Sequence, residues 1–462
     1  MSSLTIPTAT LPSNQSYSSH AQALRNDLIS YVEGLAQQGD YLKIPLGFGL
    51  KAYFVNDAEA VQEILLKQAK KVEKPGNVKR VAKGVFGENL FTSDGELWQQ
   101  LRSTLQPAFQ AKRLNAQVEM MVDTTESAIA SWKIGQVVDL SAAMMDLTLG
   151  ITTQALFGQD LRHTPAADSL LSFLDLFSEL ISSFPIPLWI PTPKHLAIKH
   201  HFRVMNSYFR TWVAERKRSS QDGDDVLSML VQAQQADASG RLSDQQICNE
   251  VSNLFAAGYE VVAHTLAFSC YLLTQYPDVE ARLREELDRV LGDPSKTAAR
   301  SGRPITAADL PQLSYLERVI KESMRLLPVT TVLSRQVIEE IQLPGGYTLP
   351  KGSLVLISPW TLQRRSDYFP DPLQFNPDRF QNPDNIPKFA YLPFSAGPRV
   401  CIGNLLAMMQ MKVNLAILLQ QYRFSIAPNY QFKPIYRFNT RPQGGLPVVI
   451  EERSRQGATT IN

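Results

Sequence analysis

Near the end of the chain, Phe394-Ser-Ala-Gly397-Pro-Arg399-Val-Cys401-Ile-Gly403 delivers one cysteine to the start of a long apolar run, Asn404–Leu419. That run holds neither glycine nor proline and reads as a helix. A thiol just ahead of a helix faces unpaired backbone N–H groups and the positive end of the dipole. Both favour the thiolate, the form that binds metal. Gly397 and Gly403 permit the turns such a loop needs and let the backbone approach something flat, and Arg399 adds a fixed cation. Three other groupings carry chemistry. Trp98 and Arg102 stand four residues apart, on one helical face. Glu322 and Arg325, at i and i+3, can pair, and the apolar end Leu326-Leu-Pro328 points those charges inward. The stretch Ala256-Ala257-Gly258-Tyr259-Glu260-Val261-Val262-Ala263-His264-Thr265 puts small residues and an acid in the middle of a helical segment.

The spacing F-x-x-G-x-R-x-C-x-G resembles the haem-binding loop of the cytochromes P-450, and with the other groupings in register the resemblance covers nearly the whole chain. It implies a mainly α fold with a small β-sheet region, a single large haem domain over residues 21–451. Polar segments 1–20 and 452–462 are expected to flank it. It implies haem b, with Cys401 as the axial iron ligand whose thiolate pushes electron density toward O–O cleavage. By the same resemblance Trp98, Arg102, Arg335 and Arg399 hold the haem propionates, with Phe394 and Gly403 shaping the loop. Glu322, Arg325 and the later Arg379 are expected to form a buried structural network, two arginine forks around one carboxylate.

The family's pattern on the distal helix is Ala-Gly-x-Asp/Glu-Thr, where small residues open a groove for dioxygen and the acid and alcohol relay protons. Ala257, Gly258 and Glu260 match it. Val261 does not, and it can neither donate nor accept a hydrogen bond. Thr265 lies about 6 Å further along the axis, too far to substitute directly. His264 has the spacing to pair with Glu260 but reads as a partly exposed helix residue without a chemical role. Three chemistries stay open. Foremost is oxygen insertion from O2 into a hydrophobic substrate, with water or substrate completing the relay. The others are desaturation, ring closure or aryl coupling, and a peroxygenase or isomerase reaction. A non-catalytic haem sensor or carrier is the alternative of another class.

These residues must be positioned by elements of two periods. Helical spacing marks Asp278–Leu291, Ser314–Leu327 and one long stretch from Ser243 to about Tyr276. Strand signals fall at Leu42–Leu46, Ala52–Val55, Ile341–Thr348, Ser353–Ile357 and Val448–Ile450. The segment Pro75–Phe91 corresponds to a loop that roofs the haem pocket in relatives. Substrate contacts are expected from Phe86, with Val81, Val85 and Leu90, from Leu254, and from Thr331 and Val332. All are uncharged, so the pocket suits a hydrophobic molecule.

Forty-six basic residues against 44 acidic leave no nucleic-acid footprint. Three cysteines cannot build a disulfide framework, and no Cys/His cluster offers a zinc site. The first twenty residues hold no apolar run, so neither a signal peptide nor a transmembrane segment is expected. The expectation is a cytoplasmic enzyme, with weak membrane contact through Phe184–Pro191 left open. No flavin or nicotinamide motif appears, so a ferredoxin-type donor with its reductase is expected to supply electrons. Lys112, Arg113, Arg364 and Arg365 are its candidate contacts.

Overall fold

Most of the chain is helical in the computed structural model, which describes residues 5–11, 19–47, 49–182, 190–219, 225–236, 242–293, 303–436 and 439–453. The Asn404–Gln421 helix forms its axis, buried without interruption from Met409 to Gln420. A helix apolar on every side has to lie inside, and this one packs against Val118–Ile129, Glu260–Gln275 and Ser314–Leu326. The Leu140–Phe157 helix, also apolar around most of its circumference, lies along Glu260–Gln275. The Pro277–Leu291 and Ser314–Leu326 helices start and stop within a residue of their spacing.

The main sheet runs in spatial order Tyr41–Pro45, Lys51–Val55, Leu354–Ile357, Leu333–Val337, Val72–Glu73. Lys51–Val55 and Leu354–Ile357 are parallel; the other pairs are antiparallel. This register sets Arg335 opposite Val355, inside the sheet rather than at its edge. A second sheet joins Val137–Asp139, Pro447–Glu452 and Tyr422–Ile426. The Ile341–Thr348 signal is a small hairpin, Ile341–Gln342 with Thr348–Leu349, and another hairpin pairs Pro434–Tyr436 with Thr440–Pro442.

Three expectations change. Residues 5–11 are not a free leader: Ile6 and Ala9 are buried, and Ala9 N–H donates to the Lys43 carbonyl at 2.9 Å. Their apolar side chains and a free sheet edge supply what the polar composition around them hides. At the other end, Arg453 pairs with Asp288, so the chain is still anchored two residues past the expected boundary. Third, Gly76–Phe86 is a helix rather than a loop, and the roofing segment shrinks to Gly87–Ser93.

The Glu322 and Arg325 side chains are both 0 % exposed. Arg325 Nε reaches Glu322 Oε2 at 2.6 Å and Nη2 reaches Oε1 at 2.9 Å. Its remaining N–H donors go to the carbonyls of Gln363, Pro372 and Gln374, at 2.8, 2.7 and 3.1 Å, so all five are used. Arg379 Nε and the Asn376 N–H complete the carboxylate from the other side, at 3.3 and 2.8 Å. Gln363 carries the network onward. Its amide donates to the Met324 and Arg325 carbonyls, and its oxygen accepts the Leu392 N–H at 2.9 Å, two residues before Phe394. Replacing Glu322 by Ala strands the charge of the buried Arg325 and removes one partner of the half-buried Arg379. The expected loss is about 3–5 kcal/mol, read as a lowered denaturant midpoint in far-UV circular dichroism. A midpoint equal to that of the unaltered protein would contradict this account.

Candidate functional site

The loop before the central helix is closed by its own backbone. Cys401 N–H donates to the Phe394 carbonyl at 2.9 Å, and Val400 N–H to Gly397 at 3.1 Å. Gly397 has φ +70°, and a Cβ there would lie 1.8 Å from the carbonyl oxygen of Leu65, so no other residue fits. Gly403 is different. Its φ is −90°, and a Cβ would meet nothing closer than Phe109 at 3.8 Å. Among the described residues nothing crowds Gly403 on its open side.

Cys401 is exposed while Cys248 and Cys270 are buried. Desolvation pushes the Cys401 thiol up; the Gly403 N–H and the Arg102 charge offset this only in part. The expected pull toward the thiolate is present in this loop but is outweighed by desolvation. A bound cation would have to complete it, since coordination deprotonates a thiol outright.

Beside the cysteine stands a surplus of positive charge. Arg102 Nη1 donates to the Val400 carbonyl at 2.9 Å. The Arg399 guanidinium lies 4.3 Å from the Trp98 ring centroid and pairs with Asp94, while its Nη1 is buried without a partner. Burial, then the charge of Arg399, lowers Arg335 to about 10. Lys74 was missed in the sequence. Its ammonium donates to the Phe91 carbonyl at 2.7 Å, and burial followed by Arg399 and Arg335 pushes it well below the usual lysine range. Its only signal was a lysine before Pro75, and its partners lie far along the chain. Three enclosed cations thus repel one another around Asp94, which Lys79 also claims. An acceptor-bearing dianion is what this cluster lacks, and a thiol at its edge with an open-sided glycine fits an iron porphyrin with two propionates.

On the opposite wall the expected long helix is two. Ser243 caps Asp244–Gly258, accepting the Gln246 N–H at 3.1 Å; Tyr259 interrupts; Glu260–Gln275 continues. The break forms where Gly258 meets Leu140–Phe157: a Cβ on Gly258 would lie 2.5 Å from Thr152 Cγ2. The Thr152 hydroxyl is 3.3 Å from the Gly258 carbonyl, and the Thr148 hydroxyl 3.1 Å from that of Tyr259. Gly258 is therefore small for helix packing, whereas Ala257 is exposed. Val261 lines a small cavity with Pro328, Val329, Phe394 and Ala407. Thr265 lines it too, but its hydroxyl donates back to the Val261 carbonyl at 2.8 Å and is committed there.

Glu260 is buried and turned toward Asn439, whose Nδ2 donates to Oε2 at 2.9 Å, and toward His264, 3.5 Å from Oε1. Burial pushes its carboxyl up, yet His264, Asn439 and the nearby Arg441 together hold it below the usual value. His264 is 1 % exposed, which corrects the reading of it as a partly exposed residue.

Of the expected substrate contacts, Phe86, Leu90 and Leu254 are buried, and Phe86 packs edge-on against Phe173. Val81 and Val332 are half-buried; the Val85 side chain lies outside the described residues. Thr331 is fully buried with its hydroxyl bonded to Thr440, so that group is not available to a ligand. Phe184–Pro191 falls outside the described residues except for its last two positions. Arg364 lies over the Trp360 ring, and Arg365 is paired with Asp40 and Asp367. Both are engaged internally, so of the basic candidates Lys112 alone is fully exposed.

The roof is docked by polar groups. Leu90 N–H donates to Glu250 at 3.1 Å, and Gln246 and Asn249 donate to the Glu88 carbonyl at 2.8 and 3.1 Å. Glu250 is 0 % exposed, and burial pushes its carboxyl up to about 8, against the pull of Leu90 N–H and Gln246. The folded protein therefore holds a proton that the unfolded chain gives up near the ordinary carboxyl value. Stability linked to this group falls as pH rises from about 4.5 to about 8. Glu250→Gln is expected to abolish that fall, gaining up to a few kcal/mol over the parent between pH 6 and pH 9. Urea midpoints across that range check it.

The cytochrome P450 family model matches residues 22–448. The chain is 30% identical over 452 residues to the cyclooctat-9-en-7-ol 5-monooxygenase of Streptomyces melanosporofaciens, covering 96% of this chain and 95% of the relative. It is 31% identical to the cyclooctatin synthase of the same organism over 92% of this chain and 91% of the relative. With the pentalenene oxygenase of Streptomyces avermitilis it shares 29% identity, over 94% and 95%. The crystal structure of the cytochrome P450DA heme domain superposes with a TM-score of 0.85 at 22% identity, covering 97% of this chain and 98% of that one. Among the described residues no helix is long and apolar enough to cross a membrane.

Proposed function

Because the chain belongs to the cytochrome P450 family, we propose that it is a monooxygenase acting on a cyclic, largely hydrocarbon substrate of the terpenoid kind, with Cys401 as the thiolate ligand of haem b. One observation carries the reading: an exposed thiol stands two residues from Arg399, whose buried Nη1 has no partner, in a cluster where Lys74, Lys79, Arg335 and Arg399 outnumber the carboxylates Asp94 and Glu73. The names of the bacterial relatives, which act on pentalenene and on a cyclic alkenol, support the substrate class. So do the apolar candidates Phe86, Leu90 and Leu254.

When bound, the haem supplies oxygen activation. The chain's own part is to hold, exclude and deliver. Arg102, Arg335, Arg399, Lys74 and Trp98 would hold the propionate edge; Phe394 and Gly403 would flank the proximal face. Ala257 would leave room above it, and the roof around Leu90 would exclude water. Glu260 would bring the proton, as the acid nearest the face that Val261 lines. Lys112, next to Ala111 in a groove also lined by Met408 and Phe394, would help to receive an acidic ferredoxin.

The test has two arms. Cys401→Ser, supplied with haem, is expected to lose the thiolate signature of the reduced carbonyl spectrum; an unchanged spectrum sinks the ligand assignment. Pentalenene and cyclooctat-9-en-7-ol, added to the ferric holoprotein, are expected to shift the Soret band and to yield hydroxylated products with a ferredoxin system. Absence of both effects across cyclic terpenes would refute the substrate class. The missing hydroxyl favours a second reading, oxidation without insertion. Val261→Thr separates the two: for a hydroxylase it should raise product formed per electron pair about two- to tenfold, well below a full general-acid effect of roughly 10²–10⁴-fold, and for an oxidase it should not.

A further inference from the structure

Glu260 is held by partners from two directions, and one of them reaches the substrate side. Asn439 stands at the tip of the hairpin formed by Pro434–Tyr436 and Thr440–Pro442, buried to 7 % exposure. Its side-chain amide donates to Glu260 Oε2 at 2.9 Å. The next residue, Thr440, is fixed to the loop after the Ser314–Leu326 helix. Its N–H donates to the Val329 carbonyl at 2.8 Å, and its hydroxyl bonds that of Thr331. Thr331 is fastened in turn by Ser358, whose hydroxyl donates to its carbonyl at 2.9 Å. Val329 lines the cavity beneath Val261. From the other direction His264 sits 3.5 Å from Glu260 Oε1, with Ser141 Oγ 3.4 Å from its Nδ1 and Phe268 alongside its ring. At this distance the buried His264 Nε2 makes no hydrogen bond to Glu260, and a contact that is long at a resting site can tighten when the reacting complex forms.

We propose that Asn439 and His264 are positioning residues that clamp Glu260, and that Thr440 ties the clamp to the substrate-side segment Val329–Val332, so that pocket occupancy sets where the acid points. The inference rests on the reading of Glu260 as the proton-delivering acid. Every partner of this carboxylate favours its charged form: an amide N–H, the His264 ring and the Arg441 guanidinium. The Leu140–Phe157 helix faces the same region with the hydroxyls of Ser141 and Thr148, which carry no charge. With valine at 261 no neighbouring hydroxyl corrects a misdirected acid, so its orientation depends on the clamp. An acid that wanders, or stays protonated, delivers protons out of step with electrons, and reduced oxygen then escapes as hydrogen peroxide.

The measurement is peroxide released per electron pair by the substrate-free holoenzyme, driven by a plant-type ferredoxin and its reductase, from pH 4 to 8. Asn439→Leu and His264→Phe are expected to raise the leak about two- to fivefold. Both should also move its pH profile upward by on the order of one unit, because the carboxylate loses partners that favour its charge. His264→Gln, which keeps a donor, is expected to recover most of the difference. If either first variant fails to take up haem, Asn439→Ser and His264→Leu carry the comparison. An altered leak in Glu260→Gln, with parental leak and pH profile in the clamp variants, overturns the clamp and leaves the acid in place. Parental behaviour in all of them, Glu260→Gln included, overturns the acid and the clamp together.

Discussion

The carboxylate of Glu322 is the point through which the proximal half of this fold is tensioned. Arg325 and Arg379 both grip it, Arg325 spends its remaining donors on three loop carbonyls, and Gln363 passes the restraint to Leu392. Two residues later the cysteine loop begins. A loop whose turn requires Gly397 against the Leu65 carbonyl has little conformational slack of its own. It must therefore be held at its entry, and a fully satisfied buried ion network does this with a directionality that apolar packing lacks. The central helix fixes the other end, starting at Asn404 and buried along most of its length.

A second cluster of charge obeys the opposite rule. Around Glu322 every donor has an acceptor, whereas around Arg399 the cations outnumber their carboxylates and one guanidinium nitrogen has no partner. Taking charge out of water without compensation is expensive. A fold keeps such an imbalance only where something outside the chain restores it. On the proposed reading the two clusters would separate the residues that hold the site from those that would hold its ligand. They also explain why Arg364, half-buried against Trp360 and lowered to about 9, belongs with the scaffold rather than with a docking surface.

What was legible in the chain follows from how local each signal is. The cysteine loop, the Glu322/Arg325 pair and the strands around Ala52–Val55 and Leu354–Ile357 are written in a few adjacent residues, and they appear where the spacing puts them. Lys74 was invisible because its meaning comes from Arg335 and Arg399, hundreds of residues away. Ile6 and Ala9 were obscured by polar neighbours and needed the edge of Tyr41–Pro45 to become structure. The most instructive miss is the helix break at Tyr259. Nothing in the periodicity of residues 244–275 interrupts, since the cause is Thr152 on a different helix, pressed against the one residue without a side chain.

That break also bears on the chemistry. A continuous helix would bond the Gly258 carbonyl within itself; here a neighbouring threonine hydroxyl lies against it, and the helix restarts with Glu260 in its first turn. An acid at a helix N-terminus is favoured as the carboxylate by the unpaired N–H groups around it. The same local geometry lets its side chain reach a hairpin with one oxygen while the other lies near His264 on its own helix, which is how Asn439 meets it from 179 positions away. Val261, by contrast, faces the cavity as a plain apolar wall. Alcohol and acid functions that the family pattern sets on adjacent residues are therefore divided in this chain. The wall beside the cavity contributes shape alone, and on the proposed reading proton supply would fall to a carboxylate that sits beside a helix break.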